Sequence, residues 1–139
     1  MDRPLVQVET TIPAPPRAVW DAIVTKPSTL FMGAKVETNW KVGHSITMSG
    51  AFNGKPFKDS GEIRSFDPER QLSFTHTSGA AKDANLVTFL LEPEGKGTRV
   101  RVSQTPMGEA KASDDQKAKY AKTWSAMLDA LKKEVGQQH

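Results

Sequence analysis

A histidine and an aspartate are the side chains of this sequence whose types and spacing best fit chemistry. His76 alternates with Leu72 and Phe74, so a strand through these residues points all three toward the buried face. Asp59 has the same parity on the preceding strand and lies one diagonal away, close enough to orient an imidazole. The pair fits a polar anchor for a ligand in an apolar pocket, or an acid–base pair. A structural histidine, satisfied by Asp59, by Gln104 or by water, is the alternative.

Three further residues are predicted to share the inward face with this pair. Gln104 falls in the same cross-strand row as His76, and Gly61, directly opposite the imidazole, leaves room beside it. His44 has the inward parity but begins a strand, where exposure is common. Three histidines without a cysteine or a ligand spacing argue against a metal site, and the sequence has no nucleophile elbow and no glycine-rich phosphate loop. We therefore predict no metal and no cofactor, and we assign no catalytic residue.

The composition is typical of a globular protein in water. Hydrophobic residues make up 37% and charged residues 25% of 139 positions, which is the size of one domain spanning residues 1–139. The absence of cysteine excludes disulfides. No apolar run approaches the roughly 20 residues of a membrane span, and the start lacks a secretory-signal layout, which predicts a cytoplasmic protein. The net charge of +3 argues against a nucleic-acid partner.

Hydrophobic periodicity divides the chain into the elements that would position these side chains. Alternation predicts a first strand along Val6–Ile12. Helical spacing predicts a helix that begins in the proline-rich run at 13–16 and ends before Pro27, followed by a short helix at 28–33. A capping box at Ser113 begins a long amphipathic helix that ends at Val135. Between them, strand and turn signals predict strands at residues 36–41, 44–52, 56–66, 71–77, 86–92 and 98–105.

The turns between these strands predict the register of an antiparallel sheet. A slip of one residue would move every apolar side chain to the solvent face, so the parity of the apolar residues tests the arrangement. In the predicted register only Phe66 points the wrong way, and a bulge near the following turn would correct it. The two neighbouring rows of inward residues are His44, Ile63, Phe74, Phe89 and Val102, and then Ile46, Gly61, His76, Val87 and Gln104.

The order of the elements and three sequence phrases resemble a known superfamily. The phrases are IPAPPRAVW at residues 12–20, FDPERQL at residues 66–72, and VTF at 87–89 followed by GTRV at 97–100. They resemble the SRPBCC or START-like superfamily, which includes the birch pollen allergen, and within it the branch of homologues of the activator of heat-shock-protein-90 ATPase. The resemblance implies an α+β helix-grip fold. In that fold a curved antiparallel sheet wraps around a long C-terminal helix, with two short helices after the first strand.

The same resemblance implies ligand binding more than a reaction. Many members of the branch are bacterial, the family shares no catalytic motif, and other members of the superfamily bind lipids, hormones or polyketides between sheet and helix. We expect a small hydrophobic or amphipathic ligand there. A cyclase, dehydratase or hydrolase-like enzyme and a stress-response or chaperone-associated interaction module are the alternatives, and monomer and homodimer both stay open. The residues expected to line the cavity are Phe31, Met48, Asp59, Phe74, His76, Phe89, Gln104, Trp124 and Met127.

Overall fold

One curved antiparallel sheet and two helices make up the computed structural model, which describes residues 6–25, 35–52, 54–77, 84–106 and 114–137. The strands are β1 (Val6–Ile12), β2 (Lys35–Thr38), β3 (Ser45–Phe52), β4 (Lys55–Asp67), β5 (Gln71–Thr77), β6 (Ala84–Glu94) and β7 (Gly97–Pro106). Helix α1 (Pro16–Thr25) follows β1, and helix α2 (Asp114–Gln137) follows β7. The strand order is β1-β7-β6-β5-β4-β3-β2. The predicted helix-grip fold is confirmed, while the second short helix, predicted at 28–33, lies outside the described residues.

The first strand and first helix form as their patterns predict. Val6 and Ile12, at the two ends of β1, are buried, and the residues between them alternate in exposure. Helix α1 begins at Pro16, where the missing backbone N–H costs no intrahelical bond. Val19 and Ile23, four residues apart, bury one face of this short helix.

Three of the predicted strand registers are confirmed. Ile46 of β3 pairs with Gly61 of β4, and Phe52 pairs with Lys55, which makes the connection between them a two-residue turn. Ile63 of β4 pairs with Phe74 of β5. The β6–β7 register agrees with the prediction along its whole length. The tight turns that join these strands leave little freedom in how the strands align.

The register between β5 and β6 differs from the prediction by two residues. Phe74 pairs with Val87 and not with Phe89, and His76 pairs with Asn85. A shift of two keeps every side chain on its face, so the alternation of apolar residues could not detect it. The segment that connects β5 to β6 lies outside the described residues, and its sequence contains no tight-turn signal that would set the alignment.

A bulge in β4 brings Phe66 into the core, as predicted. The β4–β5 register shifts between Ile63 and Ser65, so one extra residue is accommodated on β4. Phe66 then packs edge-on against Trp20 of α1, with ring centroids 5.2 Å apart, and lies 6.0 Å from the ring of Trp40. Trp40 has a positive φ of 60°, which ends β2 earlier than predicted.

Helix α2 covers part of the inner face of the sheet and packs against β1 and α1. Its predicted apolar stripe is confirmed. The predicted cap at Ser113 lies outside the described residues. Within the described part of the chain, no helix is long and apolar enough to cross a membrane. The stripe consists of the buried residues Trp124, Leu128, Leu131 and Val135 and the half-buried residues Tyr120 and Met127.

Candidate functional site

His76 lies at the edge of the buried inner face of the sheet. It is the last inward residue of β5 that the structure describes, after Leu72 and Phe74, which are both fully buried. The imidazole keeps 29% of its side-chain surface accessible. Leu72, Phe74 and His76 share one face of β5 because side chains alternate along a strand. The imidazole of His76 is the part of this face that another molecule can contact.

Asp59 of β4 holds the imidazole of His76. Its Oδ2 lies 2.9 Å from the Nε2 of His76, which is a hydrogen-bond distance, and its side chain is 19% exposed. Asp59 also pairs across the sheet with Met48 of β3, whose side chain is buried on the same face. The structure thus brings together three of the predicted site residues, Asp59, His76 and Met48, on adjacent strands.

Gly61 does not leave room beside His76, which corrects the prediction. A Cβ added to Gly61 would lie 1.6 Å from the carbonyl oxygen of Thr75 and 2.6 Å from its carbonyl carbon. The backbone of β5 already occupies this space, so only glycine fits. The neighbouring Glu62 N–H donates to the Thr75 Oγ1 at 2.9 Å. Gly61 therefore permits the close approach of the two strands that carry Asp59 and His76.

Gln104 is not in the same row as His76, which is a second correction. The two-residue shift puts Asn85 opposite His76, whereas Gln104 pairs with Val87. The Oε1 of Gln104 accepts a hydrogen bond of 2.8 Å from the indole N–H of Trp124, and both residues are buried. This bond satisfies the indole and fastens helix α2 to strand β7.

Phe74, Phe89 and Trp124 form a packed aromatic cluster in the core. The rings of Phe74 and Phe89 are stacked with centroids 6.3 Å apart, and Trp124 meets Phe89 edge-on at 5.8 Å. Phe74 and Phe89 have no accessible surface, so they line no space that a water molecule can enter. Met127 of α2 is half-buried against this core, and the remaining predicted cavity residue, Phe31, lies outside the described residues.

Asn85 is a candidate site residue that the sequence interpretation missed. It lies directly opposite His76 and is half-buried on the same face of the sheet. Residues opposite each other in an antiparallel pair have Cβ atoms about 4.5–5.5 Å apart. The strand predicted from the sequence begins at residue 86 and so leaves out Asn85. The signal for including it is that Asn85 continues the alternation of Val87 and Phe89.

His44 belongs to a different part of the surface. It is exposed, and its Nδ1 lies 2.8 Å from the side-chain nitrogen of Asn39 in the β2–β3 connection. His44 is therefore not close to the described pair on the inner face. Within the described ranges, no group of three or more histidine, cysteine, aspartate or glutamate residues is arranged to hold a metal ion.

A groove of about 740 Å³ lies at the opposite end of β5, beside the β4–β5 turn. Its lining includes Asp67, Glu69, Arg70 and Glu92, which are exposed and carry both signs of charge. The groove is separated from His76 by most of the length of β5. It has neither the apolar character nor the shielded polar group of a small-molecule site.

A family comparison covers most of the chain. The model of the family described as "Activator of Hsp90 ATPase homolog 1-like protein" matches residues 13–136. No curated protein sequence matches the chain. The family match includes both strands of the His76–Asp59 pair and helix α2 up to residue 136.

Solved structures share the fold. ChR145 from Cytophaga hutchinsonii is 28% identical, covering 96% of this chain and 94% of its own with a TM-score of 0.77. Ara h 8.0201 is 19% identical, with coverages of 94% and 96% and a TM-score of 0.77. DynU16, a protein of the dynemicin biosynthetic locus, is 18% identical, with coverages of 94% and 46% and a TM-score of 0.79. The last two likenesses concern the fold alone.

Proposed function

The chain belongs to the Activator of Hsp90 ATPase homolog 1-like family, and from this membership we propose that it binds a small hydrophobic or amphipathic molecule. The observation that carries the proposal is the partly exposed His76–Asp59 pair on a mostly apolar inner face. Small-molecule sites are mostly apolar with a few polar groups that orient the ligand. We further propose that residues 1–139 act as one domain, in the cytoplasm.

The proposed site lies at the accessible end of the inner face and not within the aromatic cluster. Phe74 and Phe89 lie in the core beneath it and do not contact the ligand, because their surfaces are fully covered. Met48 borders Asp59 on β3, and half-buried Met127 on α2 supplies an adaptable apolar side chain. A ligand would therefore rest its apolar part against methionine and place a polar group at His76.

The first experiment locates the ligand by NMR. Protein labelled at the methionine methyl groups is titrated with a library of fatty acids and aromatic compounds. We expect the methyl signals of Met48 and Met127 and the ring signals of His76 to shift together, while those of exposed His44 stay in place. A library that shifts none of the three groups would contradict the proposal.

The variant His76→Phe separates an anchor from a structural role. It keeps a ring and removes both nitrogens, so a ligand with a polar group should lose about 1–3 kcal/mol of binding free energy. Stability, measured by urea unfolding of the same variant, should change little if the site is built for a ligand. A clear loss of stability with unchanged affinity would show that the imidazole serves Asp59 alone.

A second candidate function is catalysis at the same site. The 2.9 Å bond between Asp59 and His76 is the arrangement in which a carboxylate orients an imidazole general base. Turnover of a bound compound, detected by mass spectrometry and abolished in both His76→Phe and Asp59→Asn, would favour an enzyme. Unchanged compound after prolonged incubation with saturating protein would favour simple binding.

The interaction-module alternative has less support. Among the described residues, the large hydrophobic side chain that stands exposed is Val42, at 60%. One such residue is ordinary on a protein surface and does not form an apolar docking patch.

A further inference from the structure

We propose that the His76–Asp59 pair selects ligands that donate a hydrogen bond, namely hydroxyl or N–H compounds, over carboxylates and over compounds without a donor. The inference rests on the proposed function, because it specifies the polar group of the molecule bound at this pair. It follows from which ring nitrogen of His76 carries the proton.

Asp59 determines the tautomer of the imidazole. An ionised carboxylate only accepts hydrogen bonds, so at 2.9 Å from Asp59 Oδ2 the proton of the bond belongs to Nε2 of His76. A neutral imidazole has one N–H and one bare nitrogen. With the proton on Nε2, the bare nitrogen is Nδ1. A carboxylate thus fixes the ring's tautomer as well as its orientation.

Within the described part of the chain, Nδ1 of His76 has room for a ligand's hydrogen bond. Among the residues that the structure describes, the hydrogen bond of the ring is made through Nε2, and none is made through Nδ1. The ring is also 29% accessible. The inward positions facing it from the two neighbouring strands are Asp59 and Gly61 on β4 and Asn85 on β6.

The tautomer fixed by Asp59 and the accessible position of Nδ1 together discriminate between ligand groups. A hydroxyl or N–H group can donate to Nδ1, forming a chain of hydrogen bonds that ends at Asp59. A carboxylate has no proton to donate and would place its lone pairs against the bare nitrogen, which is unfavourable. An ether or a methyl group at the same position would leave Nδ1 without a partner, and an unmade bond at a shielded acceptor costs affinity.

The tautomer is tested without any ligand. Protein containing ¹⁵N-labelled histidine is studied at pH 8 by long-range ¹H–¹⁵N correlation. We expect Nε2 of His76 to give a protonated, pyrrole-type signal and Nδ1 a bare, pyridine-type signal. In Asp59→Asn the fixed pattern should be lost, since an amide can donate as well as accept. Protonation of Nδ1 in the wild-type protein, alone or together with Nε2, would overturn the inference.

Ligand selection is tested with three probes of nearly equal size: 2-naphthol, 2-methoxynaphthalene and 2-naphthoate. At pH 8 we expect 2-naphthol to bind about tenfold more tightly than 2-methoxynaphthalene, which corresponds to one hydrogen bond of about 1.4 kcal/mol. We expect 2-naphthoate to bind most weakly. The preference should be lost in Asp59→Asn and kept in Asp67→Asn, the matched control at the exposed far end of β4.

The outcomes separate the two proposals. If all three probes bind with equal affinity, or if 2-naphthoate binds best, the donor preference is wrong while ligand binding at the site stands. If none of the probes binds, the proposed function fails, and the donor preference that rests on it fails with it. If the preference survives in Asp59→Asn, the pair does not determine it.

Discussion

Replacing Gly61 with alanine should destabilise the protein through a backbone clash beside the candidate site. The added Cβ would lie 1.6 Å from the carbonyl oxygen of Thr75, whereas ordinary contact begins at 3.4 Å. The two atoms must therefore separate by 1.8 Å to reach ordinary contact, the difference between these distances (3.4 − 1.6). The obstacle is backbone and not the end of a flexible side chain, so β4 and β5 must move apart.

The loss in free energy of unfolding follows from the hydrogen bonds that are broken when β4 and β5 move apart. Neighbouring strands lie about 4.7–4.9 Å apart, so such a displacement lengthens their hydrogen bonds beyond the useful range. The bond from the Glu62 N–H to Thr75 and the adjoining pair Ser60–Thr77 are the nearest to the clash. At about 1 kcal/mol for each lost bond, plus about 1–2 kcal/mol for strain, we expect a loss of about 3–4 kcal/mol.

Urea unfolding followed by the fluorescence of the three tryptophans measures this loss. Ser60→Ala, an exposed neighbour on the opposite face of β4, is the matched control and should change the free energy of unfolding by less than about 0.5 kcal/mol. A Gly61→Ala protein as stable as that control would refute the close approach of the two strands. It would also restore the earlier interpretation that Gly61 provides space beside the imidazole.

Three further predictions concern the core and the surface. Leu131→Ala should cost about 2–5 kcal/mol in urea unfolding, because this leucine is buried between α2 and the rest of the core. Trp124→Phe should cost about 1–3 kcal/mol, because the buried Oε1 of Gln104 loses its donor; adding Gln104→Leu should recover part of the loss in a double-mutant cycle. The hydrogen bond from Arg99 lowers the pKa of Glu94, so the carboxylate stabilises the fold above its unfolded-state pKa, and this contribution disappears as the pH falls through the folded-state pKa. Unfolding midpoints at pH 7 and pH 3 should therefore differ less in Glu94→Gln than in the wild-type protein.

The faces of the strands were predictable from the sequence, but one alignment between strands was not. Alternation assigns every residue of β5 to a face, and this assignment put His76 and Asp59 on the same side. Tight turns also fix the register of the strand pairs β3–β4, β4–β5 and β6–β7. The sequence between β5 and β6 contains no such turn signal. A shift of two residues leaves every side chain on the same face, so the alternation does not reveal it. For this reason the sequence interpretation missed Asn85. It also put Gln104 in the cross-strand row of His76, whereas Gln104 lies in the row of Phe74, two residues away.

Other features of the site depend on distances that a pattern does not contain. The sequence shows a glycine at position 61 but does not show how closely the next strand approaches it. Whether Gln104 faces a ligand or an indole depends on how α2 is rotated over the sheet. Helical spacing shows that Trp124 lies on the apolar stripe, but it does not show which strand residue its N–H meets.

The pairing of β1 with β7 has a consequence for synthesis on the ribosome. Among the described strands, β1 lies at an edge of the sheet beside β7, and the ion pair between Glu9 and Arg101 joins residues 92 positions apart. At about 5–20 residues per second, the first strand waits roughly 5–20 s for that neighbour to be made. Throughout this time the apolar side chains of Val6 and Ile12 lack their native cover. We therefore expect chaperones to contact this strand on the nascent chain for longer than they contact β6, whose neighbour β7 follows it directly.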